Sequence, residues 1–321
     1  MKLELIKRYE IDNIHYPWSC IALNEDMALV LATPKEKNQK YVLLSLGLDE
    51  IKYLPMDYLT TDLEDRNDPV LFSMEQGFGI IKSPDELFYY ANTDSKPERI
   101  AISTRKLFQQ VLPPRTRLAY ASPVSNTHIL PVCFEHTIFG LGSRHFALLN
   151  FDEKKRSAKW ESWANLDQKQ MPVYSDITDA EPPKIDSVML KDNDVYIFTS
   201  GAKITSVNKW GMDYYGIILS NTKGKMTEVL LDSGNLQAID RKQHGVNGKF
   251  TACGQYVILT PVFASDDWKG KQKLFSLATR ELIDIEFPRG FGKYPKVIQH
   301  LGNHYWVFLP ESKHLAICRQ V

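Results

Sequence analysis

Short apolar runs recur in pairs along the 321-residue chain, and Gly, Pro, Asn or Asp bound the runs. The first pair occupies residues 27–31 and 41–44, and the last occupies residues 305–308 and 314–317. The runs are rich in β-branched and aromatic residues, with little apolar–polar alternation. Such runs are typical of strands that are buried on both faces of a sheet. The pattern therefore predicts pairs of interior β-strands.

A weaker strand flanks each interior pair on either side. Residues 20–23 precede the first pair, and residues 51–54 follow it with alternating apolar and polar positions. Alternation predicts a strand with one face on the protein and the other toward water, as at the outer edge of a sheet. Four antiparallel strands form the blade of a β-propeller. The sequence therefore predicts an all-β, single-domain β-propeller that spans residues 1–321.

The number of units predicts a closed ring. Half-polar fourth strands are expected near residues 51, 97, 158, 226 and 281, and a last unit ends after three strands. Residues 3–9 show the alternation of a fourth strand, so they can complete the last unit and cover its exposed edge. The expected architecture is six four-stranded blades, closed by the N-terminal strand in the C-terminal blade.

Composition and charge limit the expected partners. The 39 Lys and Arg residues balance the 39 Asp and Glu residues, so the formal net charge is zero. A neutral chain gives no electrostatic reason to expect a nucleic acid or an anionic membrane as the partner. No apolar stretch approaches the roughly 20 residues of a membrane-spanning helix. We therefore expect a chain that is monomeric on its own and binds another protein, with no nucleic acid and no membrane.

The cysteines and the first residues indicate a compartment. Cys20, Cys133, Cys253 and Cys318 lie far apart, with no Cys-x-x-Cys pair. This spacing favours buried free thiols over disulfides or a zinc site. Charged residues interrupt the first ten positions, so they form no signal-peptide core. Both observations predict a cytoplasmic protein.

The candidate binding residues are aromatic and Arg side chains in predicted loops. Because successive strands are antiparallel, the loops that enter the inner strands and those that join second to third strands share one face. Tyr, Trp and Arg dominate the energetic hot spots of protein interfaces. Each aromatic ring has a second interpretation, as a lid over the core. The candidates on this face are Tyr16, Trp18, Arg115, Tyr120, Tyr174, Trp210, Trp268, Arg289 and Tyr294.

The leading functional hypothesis is a non-catalytic protein-binding propeller, either an interaction scaffold or an inhibitor or immunity-type protein. The alternative is a metal-dependent hydrolase or lactonase with its site at the channel mouth, since carboxylates bind divalent cations. The acidic candidates for that site are Asp62, Glu64, Asp65, Asp68, Asp176, Asp179 and Glu181. No Gly-x-Ser-x-Gly nucleophile turn is present, and the sequence predicts no catalytic residue and no cofactor.

Overall fold

The computed structural model of the chain describes residues 1–11, 14–34, 41–54, 56, 69–103, 116–121, 129–136, 144–162, 184–206, 209–221, 225–232, 246–261 and 268–321. All regular secondary structure in these residues is β-strand. The strands, in chain order, are β1 (Leu3–Glu10), β2 (Ile14–Asn24), β3 (Met27–Pro34), β4 (Val42–Gly47), β5 (Ile51–Leu54), β6 (Val70–Ser73), β7 (Phe78–Ser83), β8 (Glu86–Tyr90), β9 (Glu98–Ser103), β10 (Thr116–Ala121), β11 (Ile129–His136), β12 (Arg144–Asp152), β13 (Ser157–Ser162), β14 (Lys184–Lys191), β15 (Asp194–Ser206), β16 (Lys209–Asn221), β17 (Met226–Asp232), β18 (Val246–Phe250), β19 (Tyr256–Pro261), β20 (Lys273–Ser276), β21 (Leu282–Asp284), β22 (Lys296–Leu301), β23 (His304–Leu309) and β24 (His314–Gln320).

The described strands form five hydrogen-bonded sheets in a β-propeller arrangement. Their common unit is an antiparallel meander of four strands, as in β2–β5, β14–β17 and β18–β21, and a fourth sheet combines β22–β24 with β1. The fifth sheet has eight strands because the outer strands of two meanders, β9 and β13, pair in parallel. Ala158 pairs with Ile102, and Lys159 pairs with Ser103. The prediction of six blades is therefore wrong, since two of the expected units share one sheet.

The first strands of the meanders line the central channel. β2 contacts β22 on one side and β6 on the other, and β14 contacts both β10 and β18. β6 and β10 are the two edges of the eight-stranded sheet, yet they contact each other. The eight-stranded sheet is therefore bent, with its joined outer strands away from the channel.

Burial follows the position of a strand within its meander. All six residues of β4 are buried, whereas β9 and β1 expose most of theirs. The core lies between neighbouring sheets, where Trp306 and Phe308 of β23 pack with Val30 and Leu44 of the β2–β5 sheet. Full burial of side chains of this size contributes about 2–3 kcal/mol each. The predicted distinction between interior and outer strands is confirmed.

β1 closes the ring by completing the sheet of β22–β24. Its residue Tyr9 pairs with Leu315 in antiparallel register, and the pairing extends to Leu3 opposite Gln320. The Leu3 backbone N–H also donates to the carbonyl oxygen of Glu286, which follows β21 of the next sheet, at 2.9 Å. The predicted closure by residues 3–9 is confirmed, and the same strand ties two sheets together.

A buried carboxylate joins the two meanders of the eight-stranded sheet. Glu153, in the turn between β12 and β13, is 4% exposed. It accepts hydrogen bonds from the Gly77 backbone N–H at 3.1 Å and from the Tyr89 hydroxyl at 2.8 Å. The Arg156 guanidinium lies over the Tyr89 ring, 4.2 Å from its centroid. A carboxyl group buried this deeply is tolerated because its oxygen atoms are hydrogen-bonded.

A buried glutamine joins three sheets at the channel. Gln299 of β22 is 1% exposed, and its amide nitrogen donates to the Cys20 carbonyl oxygen of β2 at 2.6 Å. Its amide oxygen accepts from the backbone N–H of Ala252, in the turn between β18 and β19, at 2.8 Å. The side chain therefore holds β22 in place between its two neighbours.

The connections give the propeller two faces, because successive strands run in opposite directions. We call one the loop-rich face: it carries the turns between second and third strands and the segments between meanders, including the start of β2, residues 285–295 and residues 310–313. The opposite face carries the remaining turns, including residues 152–156 and 251–255.

Candidate functional site

The structure describes the side chains of four of the nine predicted binding residues, namely Tyr16, Trp268, Arg289 and Tyr294. Trp18 lies in β2, Tyr120 in β10 and Trp210 in β16, and only the backbone is described for these three. Arg115 and Tyr174 lie outside the described residues. Three of the four described side chains, Tyr16, Arg289 and Tyr294, lie on the loop-rich face at the start of β2 and in the segment before β22.

Tyr16 is exposed over 44% of its surface although it packs against the core. Its ring meets that of Phe308 edge-on, with centroids 6.2 Å apart. The Nζ atom of Lys296 lies over the Tyr16 ring, 5.5 Å from the centroid, within the range of a cation–π interaction. Burial of the inner part of the ring raises the pKa of its hydroxyl. The ring is thus fixed on one side and open on the other.

Two lysines from one sheet flank Tyr16. Lys296 begins β22, and Lys313 lies in the turn between β23 and β24, where its Nζ atom is 3.4 Å from the His15 carbonyl oxygen. The same Nζ atom lies 5.8 Å from the centroid of the Phe308 ring. Burial lowers the pKa of Lys296, and the nearby charge of Lys313 lowers it further. No described carboxylate forms an ion pair with either lysine.

Lys249 is another lysine on a first strand. It lies in β18 between the buried Gly248 and Phe250, next to the turn of residues 251–255 on the opposite face, and its side chain is exposed to water. The surrounding protein lowers the pKa of Lys249, the Cys20 thiol acts against that shift, and the charge of Lys296 adds to it.

The segment that leads into β22 adds more cationic and aromatic groups. Arg289 is exposed, and the Nζ atom of Lys293 lies 5.0 Å from the ring centroid of Tyr294. The Lys293 backbone N–H donates to Glu311 at 3.2 Å, which ties this segment to the turn that carries Lys313. The described loop-rich face thus presents aromatic and cationic side chains from several loops next to one another.

Trp268 lies elsewhere on this face, in the loop before β20. Its ring meets that of Tyr215 at a steep angle, with centroids 6.0 Å apart. The Lys273 Nζ atom lies over the indole, 5.3 Å from its centroid. Trp268 is half-buried against the core between two sheets. This position matches the interpretation as a core lid more closely than the Tyr16 position does.

A cysteine and a histidine meet on the opposite face. The Cys253 Sγ atom lies 3.1 Å from Nδ1 of His300 and 3.2 Å from the Thr251 hydroxyl. His300 is 2% exposed and stacks on Tyr305, with ring centroids 4.0 Å apart. Burial lowers the pKa of His300 to about 4, so the imidazole is neutral near pH 7. A neutral imidazole does not hold a thiolate in an ion pair, and the contact is a hydrogen bond between neighbouring sheets.

The thiols of Cys20 and Cys318 are protonated near pH 7. Cys20, Cys253 and Cys318 are free, as predicted, and the Cys133 side chain is outside the description. Burial raises the pKa of Cys20, and it raises that of Cys318 to about 12. Both thiols therefore serve as small apolar groups in the core.

Neither a cluster of metal ligands nor a membrane-spanning helix is found in the described part of the chain. Over those ranges, no three His, Cys, Asp or Glu side chains converge as metal ligands. All seven acidic residues of the predicted metal sites lie outside the described residues. No described helix is long and apolar enough to cross a bilayer.

Sequence reasoning missed Lys296 and Lys313. A criterion of interface aromatics and arginines selects Tyr16 and passes over its cationic neighbours. The sequence around Lys313 carries no signal of this site, since the proximity of Lys313 to His15 joins opposite ends of the chain.

No known protein family matches the chain, and no curated protein matches it in sequence. Solved structures match in fold. The β-propeller domain of Cps50 (Swd1) from Myceliophteria thermophila is 7% identical, with 99% of this chain and 100% of that chain covered and a TM-score of 0.46. A PL25 ulvan lyase is 9% identical over 98% and 88% of the two chains, with a TM-score of 0.48. YCF48 bound to D1 peptide is 9% identical over 98% and 94%, with a TM-score of 0.42. These similarities assign no function to this chain.

Proposed function

We propose that this chain is a non-catalytic, cytoplasmic protein-binding propeller that engages another protein through its loop-rich face. It acts as an interaction scaffold or as an inhibitor of its partner. The observation that carries the proposal is the surface around Tyr16. There a half-exposed ring, packed on Phe308 and flanked by Lys296, stands beside cationic side chains from separate loops.

The physical argument rests on preorganisation. Tyr16 is held by its contacts with Phe308 and Lys296, so it loses little side-chain freedom when a partner covers it. Tyrosine is one of the residue types that dominate interface hot spots, and charged groups around a hot spot set the association rate. The scaffold beneath is a closed ring of sheets, which positions loops that are distant in sequence.

The experiment is capture of the partner from the native host. The tagged chain is used as bait, the captured protein is identified by mass spectrometry, and its affinity is then measured with purified proteins. We expect Tyr16→Ala to weaken binding by about 30-fold, which corresponds to about 2 kcal/mol. The matched control is Tyr53→Ala, because Tyr53 is 49% exposed and lies on the outer strand β5.

The outcomes separate the possible surfaces. Loss of binding by Tyr16→Ala and its retention by Tyr53→Ala supports the loop-rich face, provided that both variants melt at the wild-type temperature. The reverse result moves the interface to the outer strands and contradicts the proposal. The proposal is also contradicted if none of the proteins captured by the wild-type chain binds it again after purification.

A further inference from the structure

Lys296 and Lys313 bring two positive charges to the same pair of aromatic rings. Lys296 comes from the start of β22, and Lys313 comes from the turn between β23 and β24. Lys296 lies over Tyr16, and Lys313 lies near Phe308, whose ring meets that of Tyr16 edge-on. Lys296 is half-buried. This cluster of two lysines therefore combines like charges with partial burial.

Such a cluster is unfavourable for the free chain. Like charges repel, and partial burial removes some of the water that would otherwise screen them. No described carboxylate pairs with Lys296 or Lys313, although Glu311 lies in the same turn as Lys313 and bonds to the Lys293 backbone. An anion from outside the chain would offset the repulsion and gain charge-assisted hydrogen bonds.

The neighbouring residues indicate which kind of anion fits. Arg289 and Lys293 continue the positive charge along the same face, so the surface suits an extended ligand with several anionic groups. Nucleic acids bind such surfaces by stacking bases on open aromatic faces. One face of the Tyr16 ring already lies under the Lys296 ammonium group. The chain as a whole has zero net charge, so it lacks the overall field that attracts a phosphate backbone.

We propose that Lys296 and Lys313 form an anion subsite on the loop-rich face that receives carboxylate side chains from an acidic segment of the protein partner. This inference rests on the proposed protein-binding function and specifies the chemistry of the partner. The carboxylates lie against the ammonium groups beside Tyr16, and the rest of the acidic segment runs toward Arg289 and Lys293.

The test uses a defined probe, a fluorescein-labelled octaglutamate peptide, and measures its binding by fluorescence anisotropy. We expect salt-sensitive binding to the wild-type chain, and about tenfold weaker binding to the double variant Lys296→Gln with Lys313→Gln. Octaglutamine and an oligothymidylate of equal length serve as the neutral and nucleic acid probes.

The matched control variant removes two positive charges from the opposite face. Lys154 and Lys225 are exposed, lie in turns between third and fourth strands, and form no described ion pair. Lys154→Gln with Lys225→Gln is therefore expected to bind octaglutamate within about twofold of wild type. Melting temperatures within about 2 °C of wild type show that a variant is folded.

Three results overturn the inference: no binding of octaglutamate by wild type, equal weakening in both double variants, or tighter binding of oligothymidylate than of octaglutamate. The proposed function fails in a distinguishable way. If the chain captures a partner through Tyr16 but the lysine variant binds that partner as wild type does, the face is correct and the anion subsite is wrong.

Discussion

On the opposite face, the buried polar side chains Glu153 and Gln299 bond across neighbouring meanders, whereas on the loop-rich face Lys296 and Lys313 stand beside each other without a described carboxylate partner. Glu153 is 4% exposed and Gln299 is 1% exposed, and each makes several hydrogen bonds. The lysines instead contact aromatic rings and a backbone carbonyl group. Glu153 and Gln299 are thus satisfied by bonds within the protein, whereas the two lysines have no described carboxylate partner.

If the proposed function is correct, the difference separates residues that stabilise the fold from residues that bind the partner. A buried polar group that loses its partner costs about 1–3 kcal/mol, so substitution on the opposite face should unfold the ring without involving any ligand. Crowded positive charges lower the stability of the free chain, and stability is commonly sacrificed in this way at functional sites. Substitutions on the two faces should therefore change stability in opposite directions.

The largest effect is expected for Glu153→Ala. The substitution leaves the Gly77 N–H and the Tyr89 hydroxyl buried without their acceptor, and it frees the two meanders of the eight-stranded sheet from each other. We expect the free energy of unfolding to fall by about 3 kcal/mol in urea titration.

Glu98→Ala is the control for Glu153→Ala, because Glu98 pairs with Arg156 nearby but has a largely exposed side chain. Its loss should cost about 0.5 kcal/mol. If both variants lost equal stability, Glu153 would be no more important to the fold than an exposed carboxylate.

Much of the ring follows from the sequence. The apolar run at residues 256–259 became part of β19, and the half-polar segment at residues 3–9 became the closing strand β1. Both predictions succeeded because the number of buried faces determines the pattern of apolar and polar residues. A strand buried on two faces is a continuous apolar run, and a strand buried on one face alternates. The separation into blades failed at β9 and β13, since their parallel pairing uses backbone groups at two residue pairs, and side-chain periodicity does not report on it.

The polar contacts between meanders were not predictable. All five residues of the turn at 152–156 are charged, a composition typical of a solvated hairpin tip, yet Glu153 within it is buried. Its partners Gly77 and Tyr89 lie more than 60 positions away in sequence. Local composition cannot identify a hydrogen-bond partner that comes into contact only when two meanders pack together. For the same reason, the sequence does not predict that Lys296 lies beside Tyr16.

A pH titration tests the opposite face through His300. Burial lowers its pKa to about 4, and Cys253, Tyr256, His304 and Tyr305 are the titratable groups that face it. An unfolded histidine has a pKa of about 6.5, so it binds a proton as the pH falls below that value while the folded one stays neutral. The contribution of His300 to stability is therefore full above pH 6.5 and is lost toward pH 4, by about 3 kcal/mol.

The measurement compares urea unfolding of wild type with that of His300→Gln at several pH values from 7 to 4. Tryptophan fluorescence is a suitable probe because Trp306 is fully buried. We expect the wild type to lose about 3 kcal/mol more than the variant over this range. If wild type and variant lost the same stability as the pH falls, folding would not lower the pKa of His300. The contact between His300 and Cys253 would then not belong to the polar contacts that stabilise the opposite face.

A smaller loss is expected for Gln299→Ala. The substitution removes the acceptor for the Ala252 N–H and the donor for the Cys20 carbonyl group, so β22 loses one polar contact with each neighbouring sheet. We expect a loss of about 2 kcal/mol in the free energy of unfolding. Gln255→Ala, at an exposed position in the turn after Ala252, should cost under about 0.5 kcal/mol. Equal effects would mean that the glutamine bonds do not hold the strand.

The smallest effect, with the opposite sign, is expected for Lys296→Met on the loop-rich face. Methionine keeps an unbranched chain over Tyr16 and removes a charge that burial and Lys313 both disfavour. The free energy of unfolding should rise by about 0.5 kcal/mol, while Lys154→Met at an exposed turn of the opposite face should leave it unchanged within about 0.5 kcal/mol. Because the expected changes in the free energy of unfolding of the two variants are close in size, replicate urea titrations at low salt are required. The stability gained by Lys296→Met should become smaller as added salt screens the charge of Lys313. A loss of more than about 1 kcal/mol for Lys296→Met would show that the ammonium group stabilises the fold. The proposed contrast between the two faces would then be wrong, because it depends on Lys296 lowering the stability of the free chain.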